Sequence, residues 1–341
     1  MLTTGLGKVD HPRTAYISSF GDVRDGVLDA LVADCDAILF EGAPDEGRLP
    51  FVCTLDEPDE VHDERNWEKP NPSFPYQPER MHSRTRKEYR KWVENPTANA
   101  SFMTRRMGIP QGDVESEVTS WENLLAASRD TGELHGRACV LGIDFARTSD
   151  FVSACLLFRD GDDYEVLHHS WFCTHSKDRA RIKAPLDEWA QKGLLTIVDS
   201  TEIAPSVLAD WVYEACASYD IRSIAIDDFR YTIVMEALER VGFSKAEGTV
   251  RLVRPSDHAK VYPVIDAAFN SGRIAWGDDP MMRWFTNNTK LVPWQNGNYK
   301  FDKIDPKPRK TDGFMAMVAA FCIADRVPEP IEEGVETPIM F

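Results

Sequence analysis

Three apolar, β-branched and aromatic segments follow one another at residues 138–145, 151–158 and 164–172, and this run most constrains the fold. Strand and helix patterns then alternate. A helix is expected over 178–191, a strand over 194–198, a helix over 205–219 with Pro205 in its first turn, and a strand over 223–227. A helix over 231–241, a strand over 249–253, helices over 258–270 and 279–287, and a hairpin turning at Asn296-Gly297 continue the series, which a helix over 311–325 ends. Three consecutive strands followed by parallel βαβ units predict a mixed α/β sheet with helices on both faces. If the first strand and a crossover strand lie side by side, the carboxylates at their ends, Asp144 and Asp227, come together.

A third carboxylate, Asp312, opens the apolar helical stretch Asp312-Gly-Phe-Met-Ala-Met-Val-Ala-Ala-Phe-Cys322. Acids from separate rigid elements are what two closely spaced divalent cations require, and all-oxygen ligation suits Mg²⁺ or Mn²⁺ better than zinc. The bland alternatives are real: an Asp after a strand is commonly a turn former, and an Asp before an apolar run is a good helix cap. Asp228 rivals Asp227, because alternation alone does not choose between neighbours. Asp150 is a further metal-ligand candidate, or a cap for its loop. Lys303 and Lys310 are candidates for phosphate contact, against the reading of a solvated basic loop. Arg147 and Arg230 flank the candidate ligands and would steer DNA or form ion pairs in an acidic site. His168-His169, with no spaced third ligand, reads as structural.

The length of 341 residues suggests two domains, joined near residue 130. Upstream, a strand is expected over 14–20, a helix over 25–33, strands over 37–40 and 51–54, a proline-rich surface crossing over 58–77, a basic helix over 80–94 and a connector made of 120–123 and 129–136. The seven cysteines are scattered singly, which argues against a zinc site or a disulfide framework. No apolar run approaches the roughly 20 residues of a membrane span, and the start lacks a signal-peptide core. A net charge of −17 weighs against a polyanionic partner, although metal-dependent nucleases need clustered acids, and basic residues gather just before Asp312.

Taken together, Gly142-Ile-Asp-Phe-Ala-Arg-Thr-Ser-Asp150, Ile224-Ala-Ile-Asp-Asp228, Pro280-Met-Met-Arg-Trp-Phe-Thr-Asn287 and Lys310-Thr-Asp-Gly-Phe-Met-Ala-Met-Val-Ala-Ala320 resemble the nuclease half of a tailed-phage terminase large subunit. Upstream, Tyr16-Ile-Ser-Ser-Phe-Gly-Asp22 is similar to the family's ATPase coupling motif, and Trp67-Glu-Lys-Pro-Asn-Pro72 to a block of its linker. The resemblance implies a ribonuclease H-like fold over residues 131–328, an ATPase-domain and linker remnant over 1–130, and an acidic tail over 329–341. It further implies an endonuclease that cuts concatemeric double-stranded DNA during viral genome packaging in the host cytoplasm. The implied catalytic and metal residues are Asp144, Asp227 and Asp312, with two Mg²⁺ or Mn²⁺ ions; the implied partners are a portal protein and a small terminase subunit.

The chain departs from the family in lacking a P-loop and a Walker B pair. Gly5-Leu-Gly-Lys8 does not meet the Gly-x-x-x-x-Gly-Lys-Ser/Thr requirement, so no ATPase activity is expected from this chain alone. The chain would then be a fragment, the second half of a split gene, or a protein whose ATPase half is supplied by a separate ATPase-bearing chain. Two other readings stay open: a resolvase- or transposase-type nuclease of the same fold, and a catalytically silent docking module.

Overall fold

The computed structural model describes residues 10–11, 13–21, 27–96, 99–110, 117–146, 148, 150–182, 184–294, 298–305 and 308–328. The chain divides into two compact units, residues 1–114 and 115–341. The division falls ahead of the join expected near residue 130.

In the first unit, helix α1 spans Val27–Phe40 and helix α2 spans Pro78–Glu94. The expected strand over 37–40 is the last part of α1, because four apolar residues carry no period and continue the helix before them. Residues 14–20 and 51–54 form no strand. The segment expected to be a surface crossing, 58–77, is instead central: three short 3₁₀ turns bury Val61, Trp67 and Phe74. The Trp67 indole donates to the Val61 carbonyl (2.8 Å), and Asn71 Nδ2 donates to the carbonyls of Trp67 (2.9 Å) and Arg106 (3.0 Å). Buried polar groups are satisfied in this way without a regular ladder. Leu55, Phe102, Met103 and Met107 complete that core, with Met81, Tyr89 and Trp92 of α2 packed against it. Gly108 closes the turn at φ +70°, where a Cβ would stand 2.7 Å from the Cys53 carbonyl oxygen.

The second unit opens with α3 (Trp121–Ala127), a helix where a connector was expected, with Ser120 Oγ accepting from Asn123 N at 3.2 Å. Strands β1 (Ala138–Asp144), β2 (Val152–Asp160) and β3 (Asp163–Cys173) form the expected antiparallel run. Then come α4 (Leu186–Gln191), β4 (Leu195–Val198), α5 (Pro205–Ser218), β5 (Asp220–Asp227), α6 (Asp228–Arg240) and β6 (Val250–Val253). The helix expected over 178–191 is only α4, since Pro185 disfavours helical geometry at the residue before it. Helix α7 (Pro255–Asn270), the two-residue strand β7 (Ile274–Ala275), α8 (Pro280–Asn287), the hairpin β8 (Thr289–Pro293) and β9 (Tyr299–Lys303), and α9 (Asp312–Phe321) complete it. The Asn296-Gly297 turn lies outside the described residues, although β8 and β9 pair antiparallel as expected around it.

The central sheet runs β4-β3-β2-β1-β5-β6, with β7 also on β3. Strands β5 and β6 run parallel to β1, the mixed pattern of a ribonuclease H-like sheet. Alternation along the strands sends Leu141, Ile143, Ile224 and Ile226 to the face covered by α5 and α6. Val140, Cys155 and Ala225 point to the opposite face, where α7, α8 and α9 pack. Nine of the ten residues of α9 are buried, as expected of a helix apolar on every side. Its approach to β1 depends on Gly142, where a Cβ would lie 1.9 Å from the Ala316 carbonyl oxygen.

Candidate active site

The face assignment places the acids. Asp144 shares the parity of Val140 and Gly142, and Asp227 shares that of Ala225, so both leave their strands toward the α9 side. Strands β1 and β5 are parallel neighbours with Ile143 opposite Ile226, which puts the two aspartates at adjacent strand ends. They line a cleft of ≈ 280 Å³ together with Arg230, Val253, His258 and Met315. Crevices at the carboxyl ends of parallel strands are where α/β sheets bind ligands. Asp228 has the opposite parity; it faces Arg254 at 3.4 Å and does not line the cleft. Asp227 also caps α6, accepting from Phe229 N at 2.8 Å.

Asp312 begins α9 and is 3% exposed, with Oδ2 buried and without a hydrogen-bond partner. Burial pushes its carboxyl up to about 6, against attraction from Lys303 and Lys310. Asp144 is pushed well above the usual carboxylate range, first by burial and then by the neighbouring Asp312 charge, with Lys303 opposing. The charge that raises Asp144 is that of Asp312, the one that raises Asp312 is that of Asp150, and Lys303 only partly offsets either. Asp150 behaves differently. Burial raises its carboxyl, but Lys303 (2.8 Å) and Lys310 (2.5 Å) outweigh this and hold it low.

Lys310, expected at a DNA surface, is 1% exposed and clamped between Asp150 and Asp178, the latter at 2.8 Å. Its ammonium fastens loops together. Lys303 is partly exposed; burial lowers its affinity for a proton, while Asp312, Asp150 and Asp144 together raise it. Arg230 lines the cleft and lies over the exposed Phe229 ring at 5.8 Å. Arg147 lies outside the described residues. His168 is buried, bonded to Asp279 (3.0 Å) and Ser170 (2.6 Å), a structural tie between β3 and α8.

Sequence reasoning missed three contributors. Asp178 sits in a turn and supplies the second partner of Lys310. Asn288 is wholly buried and donates to the Lys310 carbonyl (3.1 Å) while accepting from Arg309 (3.0 Å), pinning the chain as it enters α9. His258 faces the cleft with Nε2 buried and unpartnered, and burial lowers its basicity. None carries a local motif; each is recruited by tertiary contact.

Among the described residues, no three His, Cys, Asp or Glu side chains form a ready-made metal cage. Asp312 Oδ2, without a partner, and the Asp144 carboxyl, raised by the Asp312 charge, are oxygen donors of the kind a hard divalent cation such as Mg²⁺ takes.

Sheet order and an acidic cleft at the ends of β1 and β5 define a ribonuclease H-like α/β protein. More specifically, the model of the terminase large subunit endonuclease domain matches residues 45–327, and the chain belongs to that family. It is 22% identical over 334 residues to Protein YmfN of Escherichia coli (strain K12), covering 94% of this chain and 72% of that protein. It is 23% identical over 311 residues to the terminase large subunit of Lactococcus phage p2, covering 88% of this chain but 56% of the phage protein. The crystal structure of the HK97 bacteriophage large terminase matches with a TM-score of 0.54 at 19% identity, over 95% of this chain and 66% of that one, a likeness of fold. This chain therefore spans little more than half the length of the Lactococcus relative.

Proposed function

We propose that this chain is a metal-dependent endonuclease of viral genome packaging that cuts concatemeric double-stranded DNA. The observation that carries the reading is the buried Asp312 carboxyl, whose Oδ2 has no hydrogen-bond partner and whose charge raises Asp144, a residue that shares its cleft with Asp227. Asp144, Asp227 and Asp312 would hold two Mg²⁺ or Mn²⁺ ions. Bound there, the ions would supply the positive charge that phosphodiester hydrolysis needs at the scissile phosphate. Lys303, the more exposed of the two lysines on Asp150, would reach a phosphate oxygen, and Arg230 would steer the backbone at the cleft's edge. Lys310 would act at one remove, by holding Asp150 and Asp178 in place.

Residues 1–130 would be the end of an ATPase domain with its linker, 131–328 the nuclease, and 329–341 an acidic tail. Portal protein and small terminase subunit are the partners this role implies, in the host cytoplasm. Among the described residues no helix is long and apolar enough to cross a membrane.

The test is incubation of the purified chain with supercoiled plasmid and Mn²⁺ or Mg²⁺, without ATP, beside Asp144→Asn and EDTA controls. Nicking and linearisation lost in both controls is the expected result. Cleavage that survives Asp144→Asn would remove this cleft from the chemistry.

A further inference from the structure

The carboxylate cleft leaves one strongly charged surface unexplained. Helix α2 carries six Arg or Lys among its 17 residues, in a chain whose net charge is −17. The charges are ordered. Arg80, Arg84, Lys87 and Lys91 recur at helical spacing and fall within an arc of about 60°. All four are exposed, while Met81, Thr85, Tyr89 and Trp92 turn the other side of the helix to the core of the first unit. Of the four, only Arg84 makes an ion pair among the described residues, with Glu88 at 3.0 Å, and Glu88 is shared with Arg106 at 2.9 Å. The acid on the same face, Glu94, stands at the last residue of the helix.

A solvated helix face gains stability by mixing signs at i, i+4 and by keeping cations away from its N-terminus. Apart from the Arg84–Glu88 pair this face does neither, since Arg80 sits in the first turn, Arg80 and Arg84 are like charges four residues apart, and so are Lys87 and Lys91. Helix stability is not what the arrangement serves. From Arg80 to Lys91 the stripe runs about 16 Å, a length over which duplex DNA carries roughly ten phosphate charges.

We propose that this face of α2 binds the backbone of duplex DNA, as a contact separate in sequence from the cleavage site. The proposal rests on the reading of the chain as a DNA enzyme, but its test does not depend on cleavage. Binding of a short fluorescein-labelled duplex of arbitrary sequence is measured in EDTA across a salt series. The full chain is compared with the variant R80A/R84A/K87A/K91A and with a control of equal charge loss, K192A/R222A/R240A/K245A. Helicity and urea midpoint verify that each variant is folded.

Each phosphate contact contributes about 0.9 to the slope of log affinity against log salt, so the α2 variant should flatten the slope by about 3–4. Its affinity at low salt should fall about a hundredfold or more, while the control keeps the wild-type slope. A wild-type slope in the α2 variant, equal weakening in the control, or no duplex binding by the full chain would overturn the proposal. Plasmid cleavage in Mn²⁺, read separately, keeps the two ideas apart. A chain that binds through α2 yet never cuts loses the nuclease reading alone; one that cuts while the α2 variant binds normally loses this proposal alone.

Discussion

Replacing Asp312 with Asn should stabilise the metal-free protein, although the residue is proposed to be essential. The carboxyl of Asp312 is raised from 3.8 to about 6 by burial, which Lys303 and Lys310 only partly offset. In the folded state it keeps its proton up to about pH 6, whereas in the unfolded chain it loses it near 3.8. The stability this contributes is complete below the unfolded value and is lost as pH rises through the folded one. About two pH units correspond to roughly 3 kcal/mol of strain carried by the ionised side chain at neutral pH. Asparagine removes that charge and relieves Asp144, but leaves a buried amide whose incomplete hydrogen bonding costs about 1–2 kcal/mol. A net gain of about 1–2 kcal/mol follows, or a rise in Tm of roughly 2–8 °C for a unit of this size. Thermal unfolding in EDTA measures it. The variant should exceed wild type at pH 8 and fall below it near pH 4, where the carboxyl keeps its proton and only the cost of the amide remains. Added Mn²⁺ should raise the Tm of wild type by mass action and move the variant far less. A variant less stable than wild type at pH 8, or a gap that does not change with pH, would refute the electrostatic account of the cleft.

Gly142→Ala puts a methyl group into the backbone of α9, 1.9 Å from the Ala316 carbonyl oxygen, where no side-chain movement relieves it. Expected are a loss of about 3 kcal/mol or more in urea unfolding and the loss of cleavage with it, since α9 carries Asp312. Lys310→Met leaves Asp150 and Asp178 without their shared cation and should cost about 3–5 kcal/mol at pH 7. Both carboxyls are held below their usual range, so their contribution is lost on acidification and the gap to wild type should close below about pH 4. A pH-independent gap would assign the loss to packing. Trp67→Ala empties the centre of the first core and should cost about 3–5 kcal/mol, read by urea unfolding; a neutral result would return residues 58–77 to the surface.

The parts of the fold that could be read in advance are those whose signal is periodic. Strands β1 and β2 bury apolar side chains on both sheet faces, so their runs are nearly uninterrupted, while β3 begins with alternation, and the order of these strands and the βαβ units after them fixes the mixed sheet. Asp144 and Asp227 were legible because a carboxylate ending such a run has nowhere else to point than the strand's end. What alternation lacked was a reference for which face is which, and that came only from α9 lying over Gly142, which separates Asp227 from Asp228. Residues 58–77 were misread for the opposite reason. Their buried side chains, Val61, Trp67 and Phe74, hang on short 3₁₀ turns among prolines and acids and follow neither period. The same applies to Lys310. Its neighbours in sequence describe a basic loop, yet two acids far away in the chain, Asp150 and Asp178, draw its ammonium inward, and only long-range pairing reveals that. A charge is legible as a type from sequence, but its direction is a property of the packed molecule. By that logic the most readable charges are those on a helix whose other side is already committed to a core. On α2 the buried Thr85, with Tyr89 and Trp92 packed inward, fixes the orientation of Arg80, Arg84, Lys87 and Lys91.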